Sequence, residues 1–203
     1  KSKTLRDSRN MVWSVNAPWN PKRTIVIKEF KTRSILRRAL DYGKPNKALR
    51  SWNGAQELLR RGLRTPTPLA CLAPASASAG NTKAGYYICE AFAPAWSARD
   101  VFSAFSKGAQ DFQGYSTTDW YVAIAAFLQK LHTRGVYFRD LSAGNLLARR
   151  ASSGKLEFAL IDTARARFYP HSLGLRLRLC DLMRLCHPLI WPSRLIFVEQ
   201  YLT

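Results

Sequence analysis

The apolar residues of this 203-residue chain follow a strand-like pattern before Pro94 and a helical pattern after it. Residues 24–30 and 85–92 are runs of β-branched, aromatic and other apolar residues, which is typical of buried strands. Beyond Pro94, residues 98–106 and 117–134 carry apolar side chains at helical spacing. Strands first and helices second predict an α+β chain with a boundary near residues 92–94.

Further segments extend this pattern on both sides of the boundary. Residues 11–15 form a strand candidate after a turn at 7–10, and residues 69–72 form another. Residues 51–62 predict an amphipathic helix, which Gly62 can end because glycine adopts left-handed conformations easily. The remaining predictions are strands at residues 145–148 and 158–161 and a helix at 176–186. We expect a strand-rich unit at 1–92 and a helical unit at 93–203; the start at Lys1, not methionine, suggests a fragment.

The chain is strongly basic. It has 32 lysines and arginines against 13 acidic residues, which gives a net charge of +19. Such a balance indicates an anionic partner: phosphate groups, nucleic acid or an acidic membrane surface. The alternative is a solvated basic surface without a partner. Nucleic acid is not expected, because the basic stretches lack the interleaved aromatic residues of a base-stacking surface.

Composition excludes several other classes. Hydrophobic residues make up 47% of the chain, enough for a real core. The four cysteines show no paired close spacing and the three histidines match no zinc-binding arrangement, which suits a reducing compartment. No apolar run reaches the roughly 18 residues of a membrane span, so we expect no transmembrane helix.

Two segments carry carboxylates suited to phosphoryl transfer. In Arg139-Asp140-Leu141, followed by Asn145, the aspartate could orient an attacking hydroxyl and accept its proton. Residues 158–161 form an apolar strand that ends at Asp162. A carboxylate at a strand end and the amide of Asn145 are oxygen donors of the kind that Mg²⁺ prefers. Asp162 and Asn145 are therefore predicted to form a metal site.

A lysine lies just inside the first strong strand. Lys28 follows Val26 and Ile27, so that its amine could reach phosphate oxygens from a rigid base. It needs a carboxylate to hold it, and Glu57 on the following helix is the predicted partner. Glu29 is less suitable, because neighbouring strand residues point to opposite faces.

Each feature alone is weak, since a lone aspartate after a strand is often a turn former. The ordered set is more specific: lysine on a strand, glutamate on a helix, then R-D-L-x-x-x-N and a strand ending in aspartate. This is the order of parts in protein kinases. The set predicts a protein-kinase-like bilobal α+β fold, with a small antiparallel β-rich N-lobe and a mainly helical C-lobe.

Residues 51–70, Ser-Trp-Asn-Gly-Ala-Gln-Glu-Leu-Leu-Arg-Arg-Gly-Leu-Arg-Thr-Pro-Thr-Pro-Leu-Ala, make the resemblance narrower. They resemble a motif of the lipopolysaccharide kinase family, the Kdo and WaaP-type heptose kinases. The basic segment at 31–50 resembles that family's arginine-rich insertion. The likeness runs from about Thr24 to about Cys186.

The resemblance implies roles for individual residues. It makes Lys28 the phosphate-contacting lysine, with Glu57 as its helix partner, and Asp140 the catalytic base. Asn145 and Asp162 become the Mg²⁺ ligands. The resemblance also places Glu90 to Phe92 at the hinge that binds adenine. Asp181 resembles an aspartate that supports the catalytic loop.

The chain departs from the kinase pattern at three places. Phe138 stands where a histidine usually precedes Arg139-Asp140, and is expected to be a packing residue. Thr163-Ala164 follows Asp162 in place of Phe-Gly. No glycine-rich loop precedes Lys28 to close over phosphates, and the equivalent turn would offer Ser8 as a phosphate contact.

For function, the resemblance implies ATP and Mg²⁺ as cofactors and a sugar hydroxyl of the anionic lipopolysaccharide core as acceptor. Basic residues are the candidates for binding this acceptor: Arg37, Arg38, Arg165 and Arg167. It also implies a cytoplasmic, bacterial protein held peripherally on the inner membrane by basic patches. The alternatives are a protein Ser/Thr or small-molecule kinase of the same fold, or a pseudokinase or binding module.

Overall fold

The computed structural model describes residues 2–7, 10–30, 46–73 and 85–203. The predicted hairpin near the start is confirmed by β1 (Ser2–Asp7) and β2 (Asn10–Ala17), which pair antiparallel. With β3 (Asn20–Phe30), β4 (Pro68–Leu72) and β5 (Gly85–Glu90) they form one antiparallel sheet in the order β1-β2-β3-β5-β4. The strand predicted to end at Phe92 ends at Glu90.

Strand β3 is the centre of this sheet because its β-branched residues, Thr24 to Ile27, favour an extended backbone with both neighbours. Its register places Lys28 opposite Val12 on β2 and Tyr87 on β5. A lysine on a central strand has a backbone fixed from both sides, so its side chain starts from a rigid point.

Helix α1 (Lys47–Arg60) packs against the sheet and begins four residues earlier than the sequence predicted. The earlier start follows from Asn46, whose side chain accepts a hydrogen bond from the Ala48 backbone N–H at 2.7 Å. At the other end Gly62 has a φ of +64° and donates to Leu59, which confirms its predicted role at the helix terminus.

Residues 64 and 65, just after α1, are hydrogen-bonded to a hairpin of the helical half. Strand β10 (Leu146–Arg150) and strand β11 (Leu156–Leu160) form an antiparallel hairpin. The last residue of β11, Leu160, donates to the Arg64 carbonyl and accepts from the Thr65 hydroxyl at 2.7 Å. The end of β11 is therefore fixed to the chain that leaves α1.

The helical half contains α2 (Ala98–Ser106), α3 (Thr117–Thr133), α4 (Leu175–Leu185) and α5 (Trp191–Leu202). The first three agree with prediction to within one residue at each end. Ser97 and Ser116 start α2 and α3 as reciprocal capping boxes with Asp100 and Asp119. Helix α5 was not predicted; its apolar residues lie on both faces, with Phe197 and Tyr201 buried and Trp191 and Leu195 exposed.

Helix α3 forms the core of this half. Its buried side chains contact residues from the neighbouring helices and from the β10–β11 hairpin, and they include Trp120, Tyr121, Ile124, Leu128 and Leu131. Short strand pairs complete the fold: β6 (Trp96–Ser97) on β10, β7 (Asp111–Phe112) with β8 (Tyr115–Ser116), and β9 (Val136–Tyr137) with β12 (Arg167–Phe168). The architecture is mixed α and β with antiparallel sheets, as predicted.

None of the helices in the described part of the chain combines the length and the hydropathy needed to cross a bilayer.

Candidate active site

The amine of Lys28 on β3 forms an ion pair with the carboxylate of Asp162. Asp162 directly follows β11, so this pair joins the amino-terminal sheet to the helical half. The Lys28 side chain is 18% exposed and that of Asp162 is 34% exposed, so the ion pair is partly accessible to solvent. Asp162 has a φ of +65°, a conformation that residues with a Cβ adopt rarely and that is found in turns and at functional sites.

Helix α1 packs closely on the turn that begins at Asp162. The hydroxyl of Thr163, in the 3₁₀ turn Thr163–Arg165, donates to the Ser51 carbonyl at 2.7 Å. Gly54 lies on the same helix face, and a Cβ there would come within 2.6 Å of the Thr163 carbonyl oxygen. Only glycine permits this approach, so the position of α1 helps fix the position of Asp162.

The segment Phe138-Arg139-Asp140 is held by a buried carboxylate. Asp181 on α4 is fully buried, and its two oxygens accept hydrogen bonds from the N–H groups of Phe138 at 2.7 Å and Arg139 at 2.9 Å. Arg139 has a φ of +66°. This contact agrees with the supporting role expected of Asp181, and the fully buried Phe138 agrees with its expected packing role.

Asp140 and Asn145 lie within one short loop. The Asn145 side-chain N–H donates to the Asp140 carbonyl at 2.8 Å, and the Asn145 carbonyl accepts from the Ile161 N–H at 3.0 Å. Because Ile161 precedes Asp162, the loop and the turn are adjacent. The Asp140 carboxylate is 37% exposed and lies 3.4 Å from the Arg165 guanidinium. The predicted residues Lys28, Asp140, Asn145 and Asp162 are thus brought together in one region.

The donors in this region fit Mg²⁺ held partly by phosphate oxygens. With its N–H committed to Asp140, the Asn145 amide keeps its oxygen as an acceptor, and the Asp162 carboxylate supplies a charged oxygen. Mg²⁺ commonly takes only one or two protein carboxylates and completes its shell with phosphates and water. Among the described residues, no group of three or more His, Cys, Asp or Glu side chains could hold a metal by itself.

The structure differs from the prediction that Glu57 holds Lys28. The Glu57 carboxylate is bonded to Arg60 at 2.6 Å and to Arg61 at 2.7 Å, three and four residues further along the same helix. The bond from Arg60, with that from Arg61, outweighs the effect of burial and lowers the pKa of Glu57 to about 2. The helix rotation explains the difference, because the buried face of α1 carries Ser51, Gly54 and Ala55 instead.

Glu57 and Arg61 have a different structural role. Arg61 donates to the Tyr169 carbonyl at 2.7 Å and to the Arg134 carbonyl, and its guanidinium lies 5.4 Å from the centre of the Phe168 ring. The C-terminal end of α1 is therefore attached to the helical half through Arg61, and Glu57 holds the arginine in place.

Two other predicted nucleotide contacts, Glu90 and Phe92, have side chains that already contact arginines of the protein. Glu90, the last residue of β5, pairs with Arg23 at 2.8 Å, and its N–H donates to Thr67. Phe92, in the following connection, stacks under the Arg149 guanidinium at 4.4 Å. An adenine in this segment would therefore have to contact backbone groups that these bonds leave unused.

Of the remaining predicted site residues, only some fall in the part of the chain that the structure describes. Arg167 lies on β12, opposite Tyr137. Ser8, Arg37 and Arg38 lie outside the described residues. Of the two predicted acceptor arginines that the structure describes, Arg165 contacts the Asp140 carboxylate and Arg167 forms no ion pair with it.

A cleft of about 600 Å³ opens beside Asp140 and contains residues that the sequence analysis missed. Its basic lining residues are Arg99 at the start of α2, Arg184 at the end of α4 and His187 just beyond that end. No local motif marks them, and the helical pattern of α4 indicates only that Arg184 is exposed. A second cleft of about 620 Å³, near Tyr115 and Phe127, contains none of the candidate catalytic residues.

Comparisons with known proteins agree with the kinase interpretation. The fold is similar to a solved structure described as "WaaP in complex with acyl carrier protein", with a TM-score of 0.66 and 20% sequence identity over all of this chain and 78% of that one. No curated protein matches the chain. A family model of kinases, which are phosphotransferases, matches residues 8–190. The chain belongs to that family, the lipopolysaccharide kinase (Kdo/WaaP) family.

Proposed function

We propose that this protein transfers the γ-phosphoryl group of ATP to a sugar hydroxyl, Kdo or heptose, of the lipopolysaccharide inner core. The observation that carries the proposal is the ion pair between Lys28 and Asp162 next to the loop of Asp140 and Asn145. Four side chains of the types that phosphoryl transfer requires come from two distant parts of the chain and meet in one region. Family membership supports the same chemistry.

Each side chain has a defined task in this mechanism. Lys28 binds phosphate oxygens from its rigid strand, and Asp140 orients the acceptor hydroxyl and accepts its proton. The bond between the acceptor oxygen and the γ-phosphorus forms as the bond to the leaving ADP oxygen breaks. Asp162 and Asn145 would hold Mg²⁺, which neutralises charge on the phosphates.

The nucleotide would lie between two lobes, residues 1–92 and 93–203, in a protein-kinase-like arrangement. Two contacts support this division: Lys28 reaches Asp162 from the sheet, and Arg61 ties α1 to the helical half. The adenine would contact the connection after Glu90, near Phe92, and Ser8 would approach the phosphates.

The acceptor side of the proposal rests on charge. A net charge of +19 suits a phosphate- and carboxylate-rich glycan, and Arg165 already contacts the candidate base. Arg37, Arg38 and Arg167 would contribute to the same attraction. Mutating two of these arginines together should raise the KM of the acceptor without changing the KM of ATP.

Peripheral attachment to an anionic membrane is part of the proposal. Helix α4 exposes Leu175, Leu179 and Met183 along one face, and α5 exposes Trp191 and Leu195. Apolar residues beside arginines are typical of helices that bind at a membrane surface. We expect the protein to sediment with vesicles that contain anionic phospholipid and to remain in solution with neutral vesicles. Equal binding to both kinds would contradict the electrostatic part of the proposal.

The experiment that tests the activity supplies labelled ATP, Mg²⁺ and one of two acceptors, purified lipopolysaccharide core or a protein mixture. The expected result is label in the core sugars, lost by at least about a hundredfold in Asp140→Asn. Mass spectrometry of the product identifies the sugar and the hydroxyl. Label in the protein acceptor alone would favour a protein kinase of the same fold.

A pseudokinase is the second candidate, because no glycine-rich loop precedes Lys28 and the lysine pairs directly with Asp162. Binding of Mg-ATP, measured by calorimetry with the wild type and Asp162→Ala, separates the two. The kinase proposal requires binding that Asp162→Ala weakens. A protein that binds no nucleotide would be a non-catalytic module.

A further inference from the structure

The cleft beside Asp140 lies between the loop that carries this carboxylate and the helices α2 and α4. Its floor is formed by Asp140, Ser142 and Ala143, and its walls come from the start of α2 and the end of α4. A volume of about 600 Å³ is within the range of sites that bind small organic ligands. The cleft therefore has room for a sugar whose hydroxyl approaches the Asp140 carboxylate.

Arg99 is positioned at this cleft by the catalytic loop itself. Its backbone N–H donates to the Ala143 carbonyl at 3.0 Å. Its guanidinium lies over Gly144, where a Cβ would come within 2.7 Å of the Arg99 Nη2 atom. The absence of a side chain at Gly144 leaves the space that the guanidinium occupies, so Arg99 is held against the loop that carries Asp140.

The charge inside the cleft is predominantly positive. Among the described residues, Arg99, Arg184 and His187 line it, and Asp140 is the one acidic residue in its lining. Within the described part of the chain, neither Arg99 nor Arg184 forms an ion pair with a carboxylate, whereas Arg60, Arg61 and Arg149 each do. Two guanidinium groups without a carboxylate partner beside the candidate base are suited to bind an anion by charge-assisted hydrogen bonds.

We propose that this cleft is an anion subsite of the acceptor, built from Arg99 and Arg184 with His187 at its edge. It binds a carboxylate or phosphate carried by the same sugar as the reacting hydroxyl or by its neighbour. The inference rests on the proposed kinase function and specifies its acceptor: a sugar whose reacting hydroxyl lies beside an anionic group. A neutral sugar with the same hydroxyl is a poor substrate.

The edge of the cleft agrees with a lipid-anchored acceptor. Met183, which is 73% exposed, lines the cleft and continues the apolar face of Leu175 and Leu179 on α4. An acceptor that enters over Met183 would keep its lipid side next to that apolar face while its anionic group reaches Arg184.

The test measures steady-state kinetics for Arg99→Gln, Arg184→Gln and the double variant, with Lys107→Gln as the matched control. Lys107 follows the far end of α2 from Arg99 and is exposed, so its substitution removes one positive charge outside the cleft. Each cleft variant should raise the acceptor KM about tenfold, because each removes a charge-assisted hydrogen bond. The ATP KM should stay within about twofold of wild type, as should both constants of Lys107→Gln.

Modified acceptors distinguish the two sources of the anion. One core preparation has its carboxylates reduced to alcohols, and another has its phosphates removed. With the preparation that lacks the recognised group, the wild type should have a higher acceptor KM. The difference in acceptor KM between wild type and the cleft variants should then disappear, as expected of coupled partners. Arg184→Lys should restore part of the loss, because it retains the charge.

An acceptor KM in both cleft variants that stays within twofold of the Lys107→Gln value would overturn the subsite while leaving the kinase proposal intact. A different result would overturn the kinase proposal and the subsite together: a wild-type protein that binds Mg-ATP but phosphorylates no core acceptor. Thermal melting of each variant separates a folding defect from a binding defect. If Arg99→Gln melts early, Arg184→Gln, on an exposed helix position, carries the test.

Discussion

The two backbone positions beside the candidate reaction centre are held in different ways. Arg139 and Asp162 both have φ angles near +65°, an unfavourable region for residues with a Cβ. The Arg139 segment is held by two backbone hydrogen bonds to the buried carboxylate of Asp181. The Asp162 turn is held by side chains: the ion pair to Lys28 at the solvent border and the contact of Thr163 with α1.

This difference indicates which part of the site keeps its shape without a ligand. The segment that precedes Asp140 depends on the buried Asp181 carboxylate, which contacts no substrate in the proposed mechanism, so its geometry is fixed when the protein folds. The turn of Asp162 depends on the same lysine and carboxylate that would bind phosphate and metal. Ligand binding can therefore change the ion pair of Lys28 and Asp162, whereas the bond of Thr163 to α1 and the segment held by Asp181 do not depend on the ligand.

The largest expected effect on stability comes from Asp181→Ala. The change leaves the buried N–H of Phe138 and the partly buried N–H of Arg139 without the Asp181 partner, and we expect a loss of about 3 kcal/mol in the free energy of unfolding. Chemical denaturation measures it. Asp181→Asn, which keeps one acceptor oxygen, should lose less. Equal stability of wild type and Asp181→Ala would show that the loop is fixed by something else.

Gly54→Ala should have the next largest effect, because its Cβ would lie 2.6 Å from the Thr163 carbonyl. We expect a loss of about 2 kcal/mol, typical of overpacking, and a weaker affinity for Mg-ATP as the Asp162 turn moves. Denaturation and calorimetry measure the two quantities. Gln56→Ala, on the exposed side of the same helix, is the control and should change neither; a neutral Gly54→Ala would contradict the close contact.

Acid should weaken the attachment of α1 by a smaller amount. The pKa of Glu57 is about 2 in the folded protein and near 4.5 when unfolded, so its ion pairs stabilise the fold fully above pH 4.5. This contribution is lost as the pH falls from 4.5 toward 2, and we expect it to be about 1 kcal/mol because Arg60 is exposed. Unfolding curves of wild type and Glu57→Gln should converge across this interval.

Lys28→Met should have the smallest effect on stability and the clearest effect on ligand binding. Asp162 is partly exposed and can be solvated when its partner is removed, so a change below about 0.5 kcal/mol is expected. Affinity for Mg-ATP should fall at least about tenfold, because a charged phosphate contact is lost. Lys22→Met, on the exposed part of the same strand, is the control. A large loss of stability with unchanged affinity would show that this ion pair supports the fold and not ligand binding.

Much of the site could be predicted because its reactive side chains lie in short segments with recognisable apolar patterns. Asp140, Asn145 and Asp162 each interrupt or end an apolar run, and Lys28 lies within one, so one-dimensional patterns locate them. The helix α1 was also predictable from its apolar spacing and from Gly62. Asn46 was overlooked as its start, although its side chain is a common helix cap.

The parts that were not predicted depend on helix rotation and on long-range packing. Glu57 has the right residue type and the right element for a lysine partner, but the rotation of α1 leaves it off the buried face, where it pairs with Arg60 and Arg61 of the same helix. Arg99 and Arg184 are far apart in sequence and become neighbours only when α2 and α4 meet the loop. Helix α5 shows no single apolar face, because it contributes to the core and exposes apolar residues as well.

The last helix of the described chain is connected to the loop that carries Asp140. The Tyr201 hydroxyl on α5 lies 2.8 Å from His132 Nδ1, and His132 Nε2 lies 3.6 Å from the same Asp181 oxygen that holds Phe138. Three side chains therefore span the distance between a helix with exposed Trp191 and Leu195 and the backbone of the loop. Tyr201 and His132 are hydrogen-bonded, whereas the Nε2 atom of His132 is buried without a hydrogen-bond partner among the described residues. A displacement of the Tyr201 end of α5 would therefore move a buried histidine that lies against the carboxylate holding Phe138 and Arg139.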